Sequence, residues 1–163
     1  MDEFVVDFEG YALAGGNFKI KEFCVAQVHS GKHRQFMVRL KAMDFHGLNP
    51  SEKHNYVWVK ENLHYLSWGY VSDKHEEVSE DWLLQYLKTL SLTGVIYAKG
   101  PQKVAFLRRF SGCPIKDLEF QVSESFGEVA SNEGKTCGLP EHANVIHCAV
   151  RKAAALVEKL KIT

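Results

Sequence analysis

Three predominantly apolar segments near the start of the chain, separated by short polar stretches, predict three consecutive β-strands. The segments are Phe4–Leu13, Phe18–Val28 and Gln35–Leu40, and they are rich in β-branched and aromatic residues. Short stretches that contain glycine, asparagine or serine separate them, which favours tight turns. Because strands joined by short turns pair in opposite directions, we expect the three to form an antiparallel unit.

Helical spacing appears in the middle of the chain. Pro50–Asn62 follows Asn49, a favourable N-cap, and its leading proline suits the first helical position. Ser79 precedes a stronger helical pattern, and short apolar runs at Gly94–Ala98 and Ile115–Phe120 predict two more strands around a further helix. The apolar stripes of these two helices are Trp82, Leu83, Tyr86, Leu87 and Leu90, and then Val104, Phe106, Leu107 and Phe110.

The last part of the chain combines a polar loop with the clearest helix. Ser123–Pro140 is rich in serine, glycine and glutamate, which is typical of a loop. The helix that follows repeats apolar residues at spacings of three and four, namely Ile146, Ala149, Val150, Ala153, Leu156, Val157 and Leu160. We find no internal repeat or linker, so we expect one domain over residues 1–163. The element order predicts an α/β fold with a mixed sheet of about five strands flanked by helices.

Composition limits the class of protein. The 163 residues are 45% hydrophobic, which suits one domain with a substantial core, and 20 basic residues balance 20 acidic ones. A nucleic-acid surface would therefore be a local patch. There is no run of about 18 apolar residues, and charges at Asp2 and Glu3 do not fit a signal peptide, so we expect an intracellular protein, nuclear or cytoplasmic, without membrane contact. The four cysteines fit reduced thiols or a metal site better than disulfides.

Asp7 and Glu9 are the first candidates for chemistry. They lie two positions apart on a predicted strand and therefore project to one face, while Val6 and Phe8 point to the other. Such a carboxylate pair can bind a divalent metal. Two-metal hydrolysis of a phosphodiester needs further carboxylates from other elements, because two cations about 4 Å apart must be neutralised.

Three motifs in order make the chain resemble the histidine branch of the DEDD superfamily of 3′–5′ exonucleases, which have a ribonuclease-H-like fold. That family has Asp-x-Glu on its first strand, an Asp followed after two residues by Phe-Leu at a strand-to-helix turn, and His-x-Ala-x-x-Asp-Ala at the start of its last helix. The matching segments here are Phe4–Gly10, Ile96–Leu107 and His147–Ala153. The chain departs from the family at two metal-binding aspartates, whose positions hold Lys103 and Lys152.

The resemblance implies that His147 stands at the position of the general base and that the metal site is incomplete. An ammonium group cannot bind magnesium and repels it. We therefore expect a catalytically inactive domain that binds nucleic acid or protein, in which Lys103 and Lys152 neutralise Asp7 and Glu9. The alternative for these two lysines is that both side chains extend to solvent. The alternative is an active 3′–5′ exonuclease that uses magnesium or manganese with Asp7, Glu9 and His147, in which acids such as Asp117 or Glu119 replace the lost ligands.

The chain resembles still more closely a divergent set of arthropod and mobile-element proteins of this fold. The shared features are Phe45–Leu48 before a helix with Trp58, then Asn62–Tyr65, and the turn Tyr97–Gly100. This resemblance implies that a lysine-bearing turn is usual in that branch.

Two further groups of residues are candidates for binding. Thiol and imidazole groups near the last motif could form a tetrahedral zinc site, and the set is Cys137, His142, His147 and Cys148, with Cys113 as a substitute for one of them. The alternative is buried free cysteines. The Maelstrom domain, which resembles this fold, carries zinc.

A basic rim, meaning a set of lysines and arginines near one edge of the fold, could bind the phosphates of a nucleic acid. Its members are Lys99, Lys103, Arg108, Arg109, Arg151 and Lys152.

Overall fold

The computed structural model describes residues 2–118, 136–143 and 147–162. Six strands within these residues form one sheet in the order β4-β3-β2-β1-β5-β6. They are β1 (Asp2–Ala12), β2 (Phe18–Gln27), β3 (His33–Arg39), β4 (Glu76–Ser79), β5 (Gly94–Ala98) and β6 (Ile115–Asp117). The helices are α1 (Ala42–His46), α2 (Pro50–Val59), α3 (Glu80–Thr93), α4 (Pro101–Ser111) and α5 (Ala149–Ile162).

The sheet is mixed, as the sequence predicts. The first three strands pair in antiparallel order, whereas β5 pairs parallel to β1, β6 parallel to β5, and β4 parallel to β3. The α/β fold class is therefore confirmed. Residue Ile146, Glu119 and most of the loop predicted at Ser123–Pro140 lie outside the described residues.

Strand β4 is an addition to the five strands that we expected. The acidic sequence Asp73–Asp81 predicts a loop followed by the start of a helix. Of the four residues of β4, only Val78 is buried. The strand forms because it pairs with β3 in parallel register, from Phe36 opposite Glu76 onward. A parallel partner so distant in the chain leaves no local sequence signal.

Helix boundaries follow the capping residues. The Asn49 side chain accepts from the Glu52 backbone amide while the Glu52 side chain accepts from Asn49, which is a capping box at the start of α2. Ser79 caps α3 through the amide of Trp82. A π-helical turn at Lys60–His64 extends α2, so the helix predicted to residue 62 continues two residues further in this form.

The two faces of the sheet carry separate cores. On one face, Val6, Phe8 and other strand residues pack against Leu83 and Leu87 of α3 and the buried side of α4. On the other face, Val5, Cys24 and Met37 pack against the apolar stripe of α5. Because side chains alternate along a strand, β1 sends Asp7 and Glu9 to the α5 face. No helix in the described part of the chain is long and apolar enough to cross a membrane.

Candidate functional site

Asp7 and Glu9 lie where β1 extends beyond its parallel neighbour. Pairing between β1 and β5 ends at Val5 opposite Tyr97, so the following residues of β1 stand at the carboxyl end of β5. Ligand sites of open α/β sheets form at this edge, because helices and turns from both faces meet there. Here α4 begins just after β5, and the first turns of α5 pack over the same part of β1.

Two lysine ammonium groups lie on these carboxylates. The Lys103 Nζ atom is 2.6 Å from Asp7 Oδ1 and 3.1 Å from the carbonyl oxygen of Phe8. Lys152 Nζ is 3.5 Å from Asp7 Oδ2 and forms a short ion pair with Glu9 Oε1. We call these four residues the lysine–carboxylate cluster. These contacts form a salt-bridged cluster of the four residues that the sequence analysis grouped together.

Burial makes the charges of this cluster interdependent. Asp7 is fully buried, and Glu9 and Lys152 are nearly so. Burial alone raises the pKa of Glu9, but the nearby Lys152 and Lys103 ammonium groups outweigh this effect and hold the pKa below its usual value. Burial likewise lowers the pKa of Lys152, and the charges of Asp7 and Glu9 reverse this and raise it. At Lys103, burial lowers the pKa of the ammonium group, although the charge of Asp7 opposes this effect. The positive and negative groups of the cluster therefore depend on one another for their charge.

His147 and Asp117, the other acid–base candidates from the sequence, have different surroundings. Burial lowers the pKa of His147, and the charges of all four cluster members act on its ring, which places the imidazole beside them. The Asp117 carboxylate accepts a hydrogen bond from the Gly100 amide at 3.0 Å, at the turn into α4. Glu119, the other acid considered as a replacement metal ligand, lies outside the described residues.

The residues of the expected basic rim differ in their access to solvent. Lys99, Arg151 and Lys152 are buried, and Arg151 donates to the carbonyl oxygens of His142 and Ala143. Arg108 and Arg109 are exposed on α4. Lys103 is intermediate, because its side chain keeps 24% of its surface while it binds Asp7. Among these six residues, those accessible to solvent all lie on α4.

A second group of polar side chains lies beside the first on the same face of the sheet. The ligand atoms of Glu22, Cys137, His142 and Cys148 all lie within 4.8 Å of one another, and all four residues are buried. Glu22 on β2 is directly opposite Glu9 on β1. Cys148 precedes Lys152 by about one helical turn, which explains why one helix start serves both groups. We call these four residues the Glu–Cys–His–Cys quartet.

The quartet is oriented by hydrogen bonds from its surroundings. The His142 Nε2 atom is 2.6 Å from the carbonyl oxygen of His64, to which only a protonated nitrogen can donate. Nδ1 therefore faces Cys137 Sγ at 3.1 Å. Glu22 Oε1 accepts from the Ala149 amide at 2.7 Å, and Glu22 Oε2 accepts from His75 Nε2 at 2.9 Å.

These contacts also set the protonation of the four side chains. Hydrogen bonding from Cys137 lowers the pKa of Cys148 to about 6, and the same hydrogen bond raises the pKa of the Cys137 thiol. Burial lowers the pKa of His142, but hydrogen bonds with Cys148 and Glu22 outweigh this and raise it to about 10. Burial alone raises the pKa of Glu22, but hydrogen bonds from His142 and His75 outweigh it and keep the carboxylate ionised. Two sulfurs, one imidazole nitrogen and one carboxylate oxygen form a donor set that zinc accepts in tetrahedral geometry. Outer hydrogen bonds of the kind made by His64 and His75 are typical around metal ligands.

The structure places the residues of the expected zinc set in two locations. Cys137, His142 and Cys148 come together, whereas His147 lies by the lysine–carboxylate cluster and is not in the quartet. Cys113 packs in the core on the opposite face of the sheet. Glu22 was absent from our sequence prediction. The available signal was an acid within the apolar strand Phe18–Gln27, on the side that alternation shares with Cys24.

Comparisons with known proteins agree with this fold. No protein-family profile and no curated protein sequence matches the chain. Among solved structures, it is similar to E. coli Exonuclease I in complex with a dT13 oligonucleotide, with 14% sequence identity and a TM-score of 0.52. The match covers 99% of this chain and 41% of the exonuclease chain. A second structure of Exonuclease I, with a 5cy-dA13 oligonucleotide, matches at 12% identity and a TM-score of 0.48, over 99% of this chain and 40% of that one.

The first likeness establishes a ribonuclease-H-like fold for the chain, in agreement with the expectation from the sequence. A sequence identity of 14% is evidence for a similar fold only. The chain spans about two fifths of the length of the exonuclease chains that it matches.

Proposed function

We propose that this chain is an exonuclease-like nucleic-acid-binding module in which two-metal phosphodiester hydrolysis has been lost. The observation that supports this most directly is the pairing of Lys103 with Asp7 and of Lys152 with Glu9. Two divalent cations need several carboxylate oxygens around them, and each ammonium here takes the place of a ligand and repels a cation. The similarity to an oligonucleotide-bound exonuclease supports nucleic acid as the partner.

The charge balance of the cluster explains why these four residues would be retained for their effect on the stability of the fold. If the ammonium groups were absent, Asp7 and Glu9 would repel each other inside the protein and one of them would bind a proton. With Lys103 and Lys152 present, the four groups neutralise one another. Lysine in this place therefore replaces the structural effect of a metal without the Lewis acid that the reaction requires.

Incubation with end-labelled single-stranded RNA and DNA tests the loss of activity. We expect intact substrate in the presence of magnesium or manganese, together with a retained gel shift. Asp7→Ala and His147→Ala serve as controls for contaminating nucleases, because a contaminant is indifferent to both changes. Metal-dependent degradation that disappears in both variants would instead establish an active 3′–5′ exonuclease.

We further propose that the Glu–Cys–His–Cys quartet holds a structural zinc ion. The cation would join β2, the segment with Cys137 and His142, and the start of α5, elements that are far apart in the chain. Zinc would replace the protons of the Cys137 thiol and of the His142 imidazole, which now hold these donor atoms together, and would link the same three segments in their place. His64 and His75 would then orient His142 and Glu22 as ligands.

Metal analysis of the purified protein tests the zinc proposal. We expect about one equivalent of zinc in the wild type. Cys148→Ser should lose the metal and lower the unfolding temperature, and a strong chelator should have the same effect on the wild type. Cys113→Ser is the matched control, since that thiol is also buried but lies on the other face of the sheet. Metal-free protein with a chelator-insensitive unfolding temperature would contradict the proposal.

A further inference from the structure

A groove lies between α4 and the turn that joins β1 to β2. Its volume is about 790 Å³, within the range of pockets that hold small ligands. It opens on the Phe8 side of β1, whereas Asp7 and Glu9 project mainly toward α5. We call it the α4 groove. Lys103 is part of its lining, so the groove adjoins the lysine–carboxylate cluster.

The floor of the α4 groove is aromatic. The ring centroids of Phe8, Phe18 and Phe106 lie between 5.2 and 5.9 Å from one another. Phe8 is buried, while Phe18 and Phe106 keep part of their surface exposed to the groove. Partly exposed rings in a concave surface form a platform on which a planar ligand can stack.

The rim of the α4 groove is cationic. Arg108 and Arg109 line it together with Lys103, whose charge Asp7 compensates, and no aspartate or glutamate occurs among the described residues of its lining. Arg108 donates twice to the Ile115 carbonyl oxygen, at 2.9 and 2.7 Å, and Arg109 donates to the Gly16 carbonyl oxygen at 2.6 Å. These neutral acceptors fix both guanidinium groups without cancelling their charge. The rim therefore stays positive, in contrast to the compensated cluster next to it.

We propose that the α4 groove binds unpaired bases of a single-stranded nucleic acid, with the adjoining phosphates against Arg108 and Arg109. This inference rests on the proposed nucleic-acid-binding function and assigns its contact surface. A stacking floor with a positive rim fits a base and its phosphate together, and paired bases of a duplex could not enter it. The side-chain amides of Asn17 and Gln102 at the mouth can donate to and accept from base edges.

The lysine–carboxylate cluster itself is an unfavourable binding site for phosphate. Each of its ammonium groups already faces a carboxylate at short range, so a phosphate would have to displace Asp7 or Glu9. Arg108 and Arg109 need to break only bonds to neutral carbonyls, or can keep them and use their remaining N–H groups. Phosphate binding is therefore more favourable in the α4 groove than at the lysine–carboxylate cluster.

Fluorescence anisotropy with labelled oligothymidylate and oligouridylate of about ten nucleotides tests this assignment. Gln102→Glu places a negative charge at the mouth without a change of shape, and we expect about fivefold weaker binding. Phe106→Leu removes an aromatic ring and keeps an apolar side chain, with an expected loss of about tenfold. Gln85→Glu on the exposed side of α3 is the matched control and should bind like the wild type.

An abasic strand with the same number of phosphates separates stacking from charge. We expect it to bind the wild type about tenfold more weakly than the normal strand and to be insensitive to Phe106→Leu. If the wild type binds while Gln102→Glu and Phe106→Leu behave like Gln85→Glu, the groove assignment is overturned and the nucleic-acid-binding function stands. If the wild type binds neither strand, the proposed function fails and the groove assignment fails with it.

Discussion

Replacement of Lys152 by methionine tests whether the lysine–carboxylate cluster supports the fold. Lys152 is 4% exposed and compensates Glu9 and, at 3.5 Å, Asp7. Methionine has most of the volume of lysine but no charge, so it leaves a buried negative charge without its partner. Removal of one partner of a buried ion pair costs about 3–5 kcal/mol, and the lower end applies here because Lys103 still pairs with Asp7. We therefore expect the free energy of unfolding to fall by about 3 kcal/mol, or the unfolding temperature by about 6–12 °C.

Urea denaturation at neutral pH measures this change. Lys88→Met on the exposed side of α3 is the matched control, with an expected effect below about 0.5 kcal/mol. The double variant Glu9→Gln/Lys152→Met removes the stranded carboxylate together with its partner and should recover most of the loss. A loss in Lys152→Met no larger than in Lys88→Met would refute the compensation argument.

The pH dependence gives an independent check of the same argument. In the wild type the pKa of Glu9 is lowered on folding, so this carboxylate adds stability above its unfolded pKa of about 4.3, and the contribution is lost as the pH falls. In Lys152→Met, burial dominates and raises the pKa of Glu9, so the ionised group costs stability above that unfolded value. The difference between the two proteins should therefore narrow as the pH is lowered from about 7 toward 4.5, and a constant difference would contradict the reasoning.

Three other changes have defined outcomes. Lys103→Asp/Lys152→Asp supplies two further carboxylates at the cluster, and manganese should raise the unfolding temperature of this variant but not of the wild type, as differential scanning fluorimetry can measure. Tyr11→Phe removes a buried 2.6 Å hydrogen bond to the carbonyl oxygen of Leu66, which should cost about 1–2 kcal/mol in urea denaturation. Asn49→Ala removes the cap of α2 and should cost about 1 kcal/mol in the same measurement.

The sequence by itself determined the elements whose signals are local. The apolar segment Phe4–Leu13 and the apolar stripe of the last helix appear in the structure as strand β1 and helix α5. Asn49 and Ser79 cap helices because a cap depends on residues two or three positions away. The spacing of Asp7 and Glu9 is also a local signal. Because side chains on a strand alternate with a period of two, these residues project to the same face.

Only the tertiary structure decided which distant side chains share a site. Glu22 and the Ala149 amide are 127 positions apart, and no local pattern relates them. Their contact results from the docking of α5 on the sheet, which also brings Cys148 to the quartet and turns His147 toward the other cluster. Arg151 looked like a surface cation in the sequence but is buried against backbone carbonyls. Periodicity identifies the buried face of a helix, while the partner of each polar group depends on the three-dimensional packing of that face.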